Sequence, residues 1–152
     1  MQVTSSAFTH EAMIPKQYTG EEKDASPPLA WSGAPSGVKS IALLVDDPDA
    51  PRKEPWVHWV IFNLPAETKE VAEGISGTSR LPAGAKEGKN DFGKIGYGGP
   101  MPPPGKTHRY YFKLYALDRM LELKEGATKR QVEEAIDGHI LAEGQLMGKY
   151  AR

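Results

Sequence analysis

Short apolar segments alternate along the chain with connections rich in Gly and Pro, and the segments repeat every second residue. Ser40 to Asp47 (SIALLVDD), Val57 to Leu64 (VHWVIFNL) and Arg109 to Leu117 (RYYFKLYAL) are dense in β-branched and aromatic side chains, which suit a pleated, half-buried surface. All three predict strands. Ile140 to Tyr150 predicts a fourth, weakened by Gly144 and Gly148. Helical spacing is clear in one place, where Val132, Ala135 and Ile136 follow Thr128 and Gln131. That Thr and Gln stand three apart as a capping box, and Gly138 sits where the helix should stop. The 16 glycines and 13 prolines leave little room for long helices, and the longest loop runs from Gly84 to Gly105. The expected class is mostly β, closed as a Greek-key sandwich or barrel with one or two short helices.

Strand parity gives the first functional inference, because residues two apart share a face. Ile41, Leu43 and Val45 share one that continues into Asp47; His58 leads a face with Val60 and Phe62; His108 and Tyr110 precede Phe112, Leu114 and Ala116. Each strand thus has an apolar face that turns polar at one end. An antiparallel pairing of the first two puts Asp47 and His58 at one edge, and a third strand parallel to the second brings His108 and Tyr110 there too. An apolar core capped by these four is the beginning of a pocket. Taken singly, a histidine at a strand start is more often structural, and Asp before Pro is usually a turn initiator. Their coincidence is what points to a site.

Composition narrows the function. The chain has 152 residues, one domain's worth (residues 1–152), with 19 basic and 20 acidic side chains and a net charge of −1. That balance signals neither a nucleic acid nor an anionic membrane as partner. With no cysteine there is no disulfide or thiolate metal site, and the N-terminus lacks the basic and apolar regions of a signal peptide. No apolar run is long enough to cross a bilayer, so the expected location is cytoplasmic. Gly105-Lys106-Thr107 resembles the end of a phosphate loop, but Pro100 stands where its first glycine belongs. Asp47, Asp49, His58 and His108 have the ligand types of a metal centre, without a spacing motif to support one. Gly-x-Ser-x-Gly is absent, so no activated nucleophile is signalled. Arg109, Tyr111, Lys113 and Tyr115 form an alternating basic and aromatic face that reads as a solvated sheet surface. No cofactor is implied.

Asp47-Pro48-Asp49-Ala50-Pro51, followed by Trp56-Val57-His58-Trp59, resembles the first signature of the phosphatidylethanolamine-binding protein family. Gly98-Gly99-Pro100, followed by Pro104-Gly105-Lys106-Thr107-His108-Arg109-Tyr110, resembles its second. Ser26-Pro27-Pro28-Leu29 with Trp31, and Asp91-Phe92-Gly93, resemble its bacterial and archaeal (Raf kinase inhibitor-like) branch. The resemblance runs from about Phe8 to Tyr150. It implies a large antiparallel sheet packed on a smaller one, and a pocket for phosphate-like anions or phosphorylated head groups lined by Asp47, Asp49, Trp56, His58, Gly99, Pro100, His108 and Tyr110. Imidazole and phenol donors, with backbone N–H groups near Gly98 and Gly99, suit a tetrahedral anion. Asp47 would orient His58 or His108, or meet an ammonium. The resemblance also implies a non-enzymatic binding or regulatory protein, with inhibition of a serine protease or kinase as the alternative. The loop Arg52 to Pro55 is shorter than in eukaryotic members, and a long C-terminal helix is missing, so properties that depend on those parts are not carried over. A homodimer stays open.

Overall fold

The computed structural model describes residues 1–152, whose strands form two antiparallel sheets. The smaller sheet pairs β1 (Gln2–Thr4), β2 (Leu29–Ser32) and β5 (Glu70–Val71) in the order β1-β2-β5. The larger contains β3 (Ser40–Asp47), β4 (Trp56–Pro65), β6 (Lys86–Glu87), β7 (His108–Leu117) and β8 (Ile140–Tyr150), in the order β6-β4-β3-β7-β8. Two hairpins, β3–β4 and β7–β8, therefore lie side by side through β3 and β7. All four sequence-predicted strands form, the last despite its glycines, while β1, β2, β5 and β6 are too short to show alternation.

At the centre of the larger sheet β3 and β4 are buried on both faces, which is why Ile41-Ala42-Leu43-Leu44-Val45 is an unbroken apolar run. Ile41, Leu43, Val45, Trp59, Ile61 and Phe112 pack toward Val3, Leu29, Trp31 and Val71 of the smaller sheet. Ala42, Leu44, Val60 and Phe62 pack on the other side against Leu121, Val132 and Ile136. Each large side chain sealed this way contributes about 1.5–3 kcal/mol. Helix α1 (Lys129–Ile136) covers the second face and is capped as its sequence predicts. Thr128 Oγ1 accepts the Gln131 N–H at 3.2 Å, and Gln131 Oε1 accepts the Thr128 N–H at 2.9 Å. One 3-10 turn, Lys16–Tyr18, is the only other helical element.

Pairing of β3 with β4 is interrupted twice. Ile41 faces Leu64 but Leu43 faces Ile61, so β4 has an extra residue there; Asn63 takes φ +58° and holds Leu121 by its N–H and C=O at 2.8 and 2.9 Å. The second interruption lies between Val45–Trp59 and Asp46–Val57, which leaves His58 as the extra residue. No helix is long and apolar enough to cross a membrane.

Candidate ligand-binding site

β3 runs antiparallel to both of its neighbours, so its exit lies beside the entrances of β4 and β7. This edge brings together Asp47, Trp56, His58, His108 and Tyr110 around one cavity of about 170 Å3. Its remaining walls are Ala50, Pro51, Phe92, Met101, Pro102 and Pro103. Simple alternation puts His58 with Val60 and Phe62, and that expectation is corrected. The bulge turns His58 onto the opposite face, where its ring meets Tyr110 edge-on at 5.1 Å.

Both imidazoles are anchored through Nδ1. His58 Nδ1–H donates to the Gly98 carbonyl at 2.6 Å, and the Gly98 N–H returns a bond to the His58 carbonyl at 2.9 Å. A carbonyl can only accept, so the tautomer of His58 is fixed by its partner. His108 Nδ1–H donates to Asp47 Oδ2 at 2.7 Å, and Asp47 Oδ1 accepts the Asp49 N–H at 2.7 Å. Asp47 therefore orients His108 rather than His58, with both oxygens engaged. The Tyr110 ring stacks near His108 at 6.5 Å. Burial pushes its hydroxyl far above the ordinary phenol range, so it faces the cavity as a protonated donor.

The donor-rich lining expected from the sequence is corrected by this geometry. Each neutral histidine spends its single N–H inside the protein, on Gly98 or Asp47. The Gly99 N–H donates to Asp24 at 2.7 Å, and Gly99 is needed because a Cβ there would lie 2.3 Å from the Tyr18 carbonyl. Pro100 accepts the Gly20 N–H at 3.0 Å. Neither Gly99 nor Pro100 lines the cavity, and nor does Asp49. Asp49 forms a two-pronged pair with Arg109 at 2.9 Å, which holds its carboxyl at about 2.

The cavity's rim is latched from several sides. Asp49 fixes one end of the loop after β3, and Arg52 bonds Asp91 while lying 4.6 Å over the Trp56 ring. Arg152 Nε donates to the Pro102 carbonyl at 2.6 Å, and Gly105 N–H bonds Arg152 O at 3.3 Å. Phe92 and the stretch Met101–Pro103 escape sequence reasoning as wall residues. Their only signal is local: an aromatic amid polar and glycine positions, and prolines just before His108. The cations of the β7 outer face are matched by acids, Arg109 by Asp49 and Lys113 by Asp46 at 3.3 Å. No three His, Asp or Glu side chains converge as metal ligands.

Burial lowers the pKa of His58, against the opposing pull of the Gly98 carbonyl and Asp47. An unfolded histidine takes its proton near about 6.5. Between that value and the lower folded one, the unfolded chain binds more protons, so stability falls as pH falls through this window. Denaturant titrations at a series of pH values should show this loss in the wild type and a shallower loss in His58→Gln. Identical slopes would exclude His58 as a buried neutral group.

Comparison with known proteins covers essentially the whole chain. The model of the phosphatidylethanolamine-binding protein family matches residues 4–151. A UPF0098 protein of Methanothermobacter thermautotrophicus is 49% identical over 152 residues, covering 100% of this chain and 99% of that one. A UPF0098 protein of Chlamydia muridarum is 47% identical over 154 residues, with 99% and 98% covered. Among solved structures, CT736 of Chlamydia trachomatis, described as a putative phosphatidylethanolamine-binding protein homolog, superposes with a TM-score of 0.90 at 43% identity, covering 99% of this chain and 97% of that one. YbcL of E. coli, described as a new member of the mammalian PEBP family, gives 0.93 at 34%, covering 99% and 98%.

Proposed function

Since the chain belongs to the phosphatidylethanolamine-binding protein family, we propose that it is a non-enzymatic binding protein whose cavity receives a phosphate-like oxyanion. The observation that carries this reading is the convergence of two Nδ1-anchored imidazoles and the Tyr110 hydroxyl on one small cavity. Once protonated, each imidazole adds an Nε2–H donor and a positive charge, and anchoring through Nδ1 spares the anion the cost of ordering them. A volume of about 170 Å3 suits a phosphate head with the start of a substituent. The apolar walls exclude water from these contacts, which strengthens them.

The same geometry supports a receptor over an enzyme. Asp47 and His108 form a dyad that could orient a base, but no serine, threonine or lysine lines the cavity as a nucleophile. The loops after β3 and before β7 are the stiff segments that an inhibitor would present to a protease. Both are latched back onto the body through Asp49, Arg52 and Pro102, which favours their use as cavity walls.

Titrating inorganic phosphate at about pH 6 and following amide and indole NMR signals should give saturable shifts centred on Trp56, His58 and Tyr110. Shifts scattered over surface lysines, or none, would remove the reading. Under the same conditions a chromogenic phosphate monoester and a simple ester should stay intact. Hydrolysis that co-purifies with the protein and is lost in Asp47→Asn would make it an enzyme.

A further inference from the structure

Both imidazoles line the cavity and are anchored through the same ring nitrogen. With Nδ1–H donated to Gly98 and to Asp47, the neutral form of each ring has a bare lone pair on Nε2. Neither Nε2 has a protein partner, and neither is sealed off, for Trp56 Nε1 is the one side-chain nitrogen or oxygen both buried and unpartnered. With both rings neutral the cavity therefore offers two acceptors and one hydroxyl donor. An anion that is all lone pairs meets lone pairs there. Resting on the reading of this cavity as an oxyanion site, we propose that it selects oxyanions that carry their own hydrogen, hydrogen phosphates above all, over hydrogen-free ones such as sulfate.

The charges around the rings reinforce this selection. His58 is faced by Asp47 and Asp46 of β3, by Asp24 of the N-terminal segment and by the Gly98 carbonyl. His108 is faced by Asp47, by Asp49, by Tyr110 on its own strand and by Tyr150, its cross-strand partner. Of the cations at the rim, Arg109 and Arg52 are paired with Asp49 and Asp91, and Arg152 donates to the Pro102 carbonyl. A hydrogen shared between an anion oxygen and Nε2 satisfies both sides wherever it formally resides. Two inward acceptors call for two hydrogens: H2PO4⁻ brings two, HPO4²⁻ one and sulfate none. What the anion lacks must come from solvent, so the proton uptake on binding measures the deficit.

Asp47→Asn gives this idea a distinctive signature. The new side-chain oxygen keeps the Asp49 N–H, and the amide NH2 then faces His108 Nδ1. That nitrogen must become the acceptor, which moves the hydrogen to Nε2 and turns one inward acceptor into a donor.

Calorimetry in two buffers of different ionisation enthalpy gives the proton count directly. Between about pH 7.5 and 8.5, wild-type affinity should fall about 10-fold per pH unit for phosphate and about 100-fold for sulfate, uptakes of about one and two protons. In Asp47→Asn the sulfate count should drop by about one. Equal counts for the two anions in the wild type would overturn the proposal while leaving the anion site intact. So would a gain in Asp47→Asn affinity at every pH with an unchanged count, the mark of simple charge removal. If neither anion binds at any pH, this proposal and the oxyanion reading fall together. Should Asp47→Asn fail to fold, the wild-type comparison of the two anions decides alone.

Discussion

Phosphate affinity at about pH 6 should fall about 100-fold in His108→Ala, about 30-fold in His58→Ala and about 5-fold in Tyr110→Phe. A hydrogen bond to a charged group contributes about 1.5–3 kcal/mol and a neutral one about 1, with every 1.4 kcal/mol a factor of ten. His58 and His108 each share a proton with the charged ligand through Nε2, whereas Tyr110 donates its hydroxyl hydrogen. The histidines differ in what their removal leaves behind. Without His58 a backbone carbonyl, that of Gly98, loses a partner. Without His108 the carboxylate of Asp47 is left facing the anion with only the Asp49 N–H to hold it. Calorimetric titration of the three variants checks the order. His58→Ala weaker than His108→Ala would mean that Asp47 is not a repulsive neighbour, and parity among all three would mean that shape alone sets affinity.

Glu87→Ala should lower the unfolding free energy by about 4 kcal/mol, and Glu87→Gln by about half as much. Glu87 is buried on β6 and takes three hydrogen bonds with one carboxylate. Oε2 accepts from Trp59 Nε1 at 2.8 Å and Ser76 Oγ at 2.6 Å, and Oε1 accepts the Gly77 N–H at 2.7 Å. Truncation leaves the buried Trp59 donor and the partly buried Ser76 and Gly77 donors without their acceptor, whereas Gln keeps an acceptor oxygen for part of the set. Ser76 Oγ also accepts the Tyr97 N–H at 2.8 Å, one residue before the Gly98 that anchors His58. Gly96 allows this approach, since a Cβ there would lie 2.8 Å from Ser76 Oγ. Urea unfolding followed by Trp fluorescence gives the loss, and hydrogen exchange at residues 96–98 should rise in step. A cost under about 1 kcal/mol would show that water replaces Glu87 freely.

How much of this was legible in the sequence depends on the range of the forces involved. Local rules were sufficient for β3, β4, β7, β8 and α1, because alternation and the Thr128–Gln131 box act within a few residues. β6 was not legible: Lys86 and Glu87 look like loop, and what buries Glu87 is the indole of Trp59, 28 residues away. At the site, parity brought Asp47, His108 and Tyr110 to the right edge, since β3 and β7 pair without a slip. It misplaced His58, whose facing depends on a bulge that no composition signals. The resemblance supplied Gly99 and Pro100 as neighbours of the site, yet their contacts run to Asp24 and Gly20. Whether a donor is free or spent depends on partners distant in sequence, as with the imidazoles and Gly98.

The bulge at His58 makes the cavity's chemistry separable from its scaffold. On either side of that position the pairing is already regular: Trp59 faces Val45, Val57 faces Asp46 and Trp56 faces Asp47. Excising one residue would close the ladder and leave every other side chain of β4 pointing where it points now. The imidazole is in this sense an insert rather than a member of the strand's own pattern. A hairpin built this way can gain or shed a functional group by a single-codon insertion or deletion, without renegotiating which residues face the two cores.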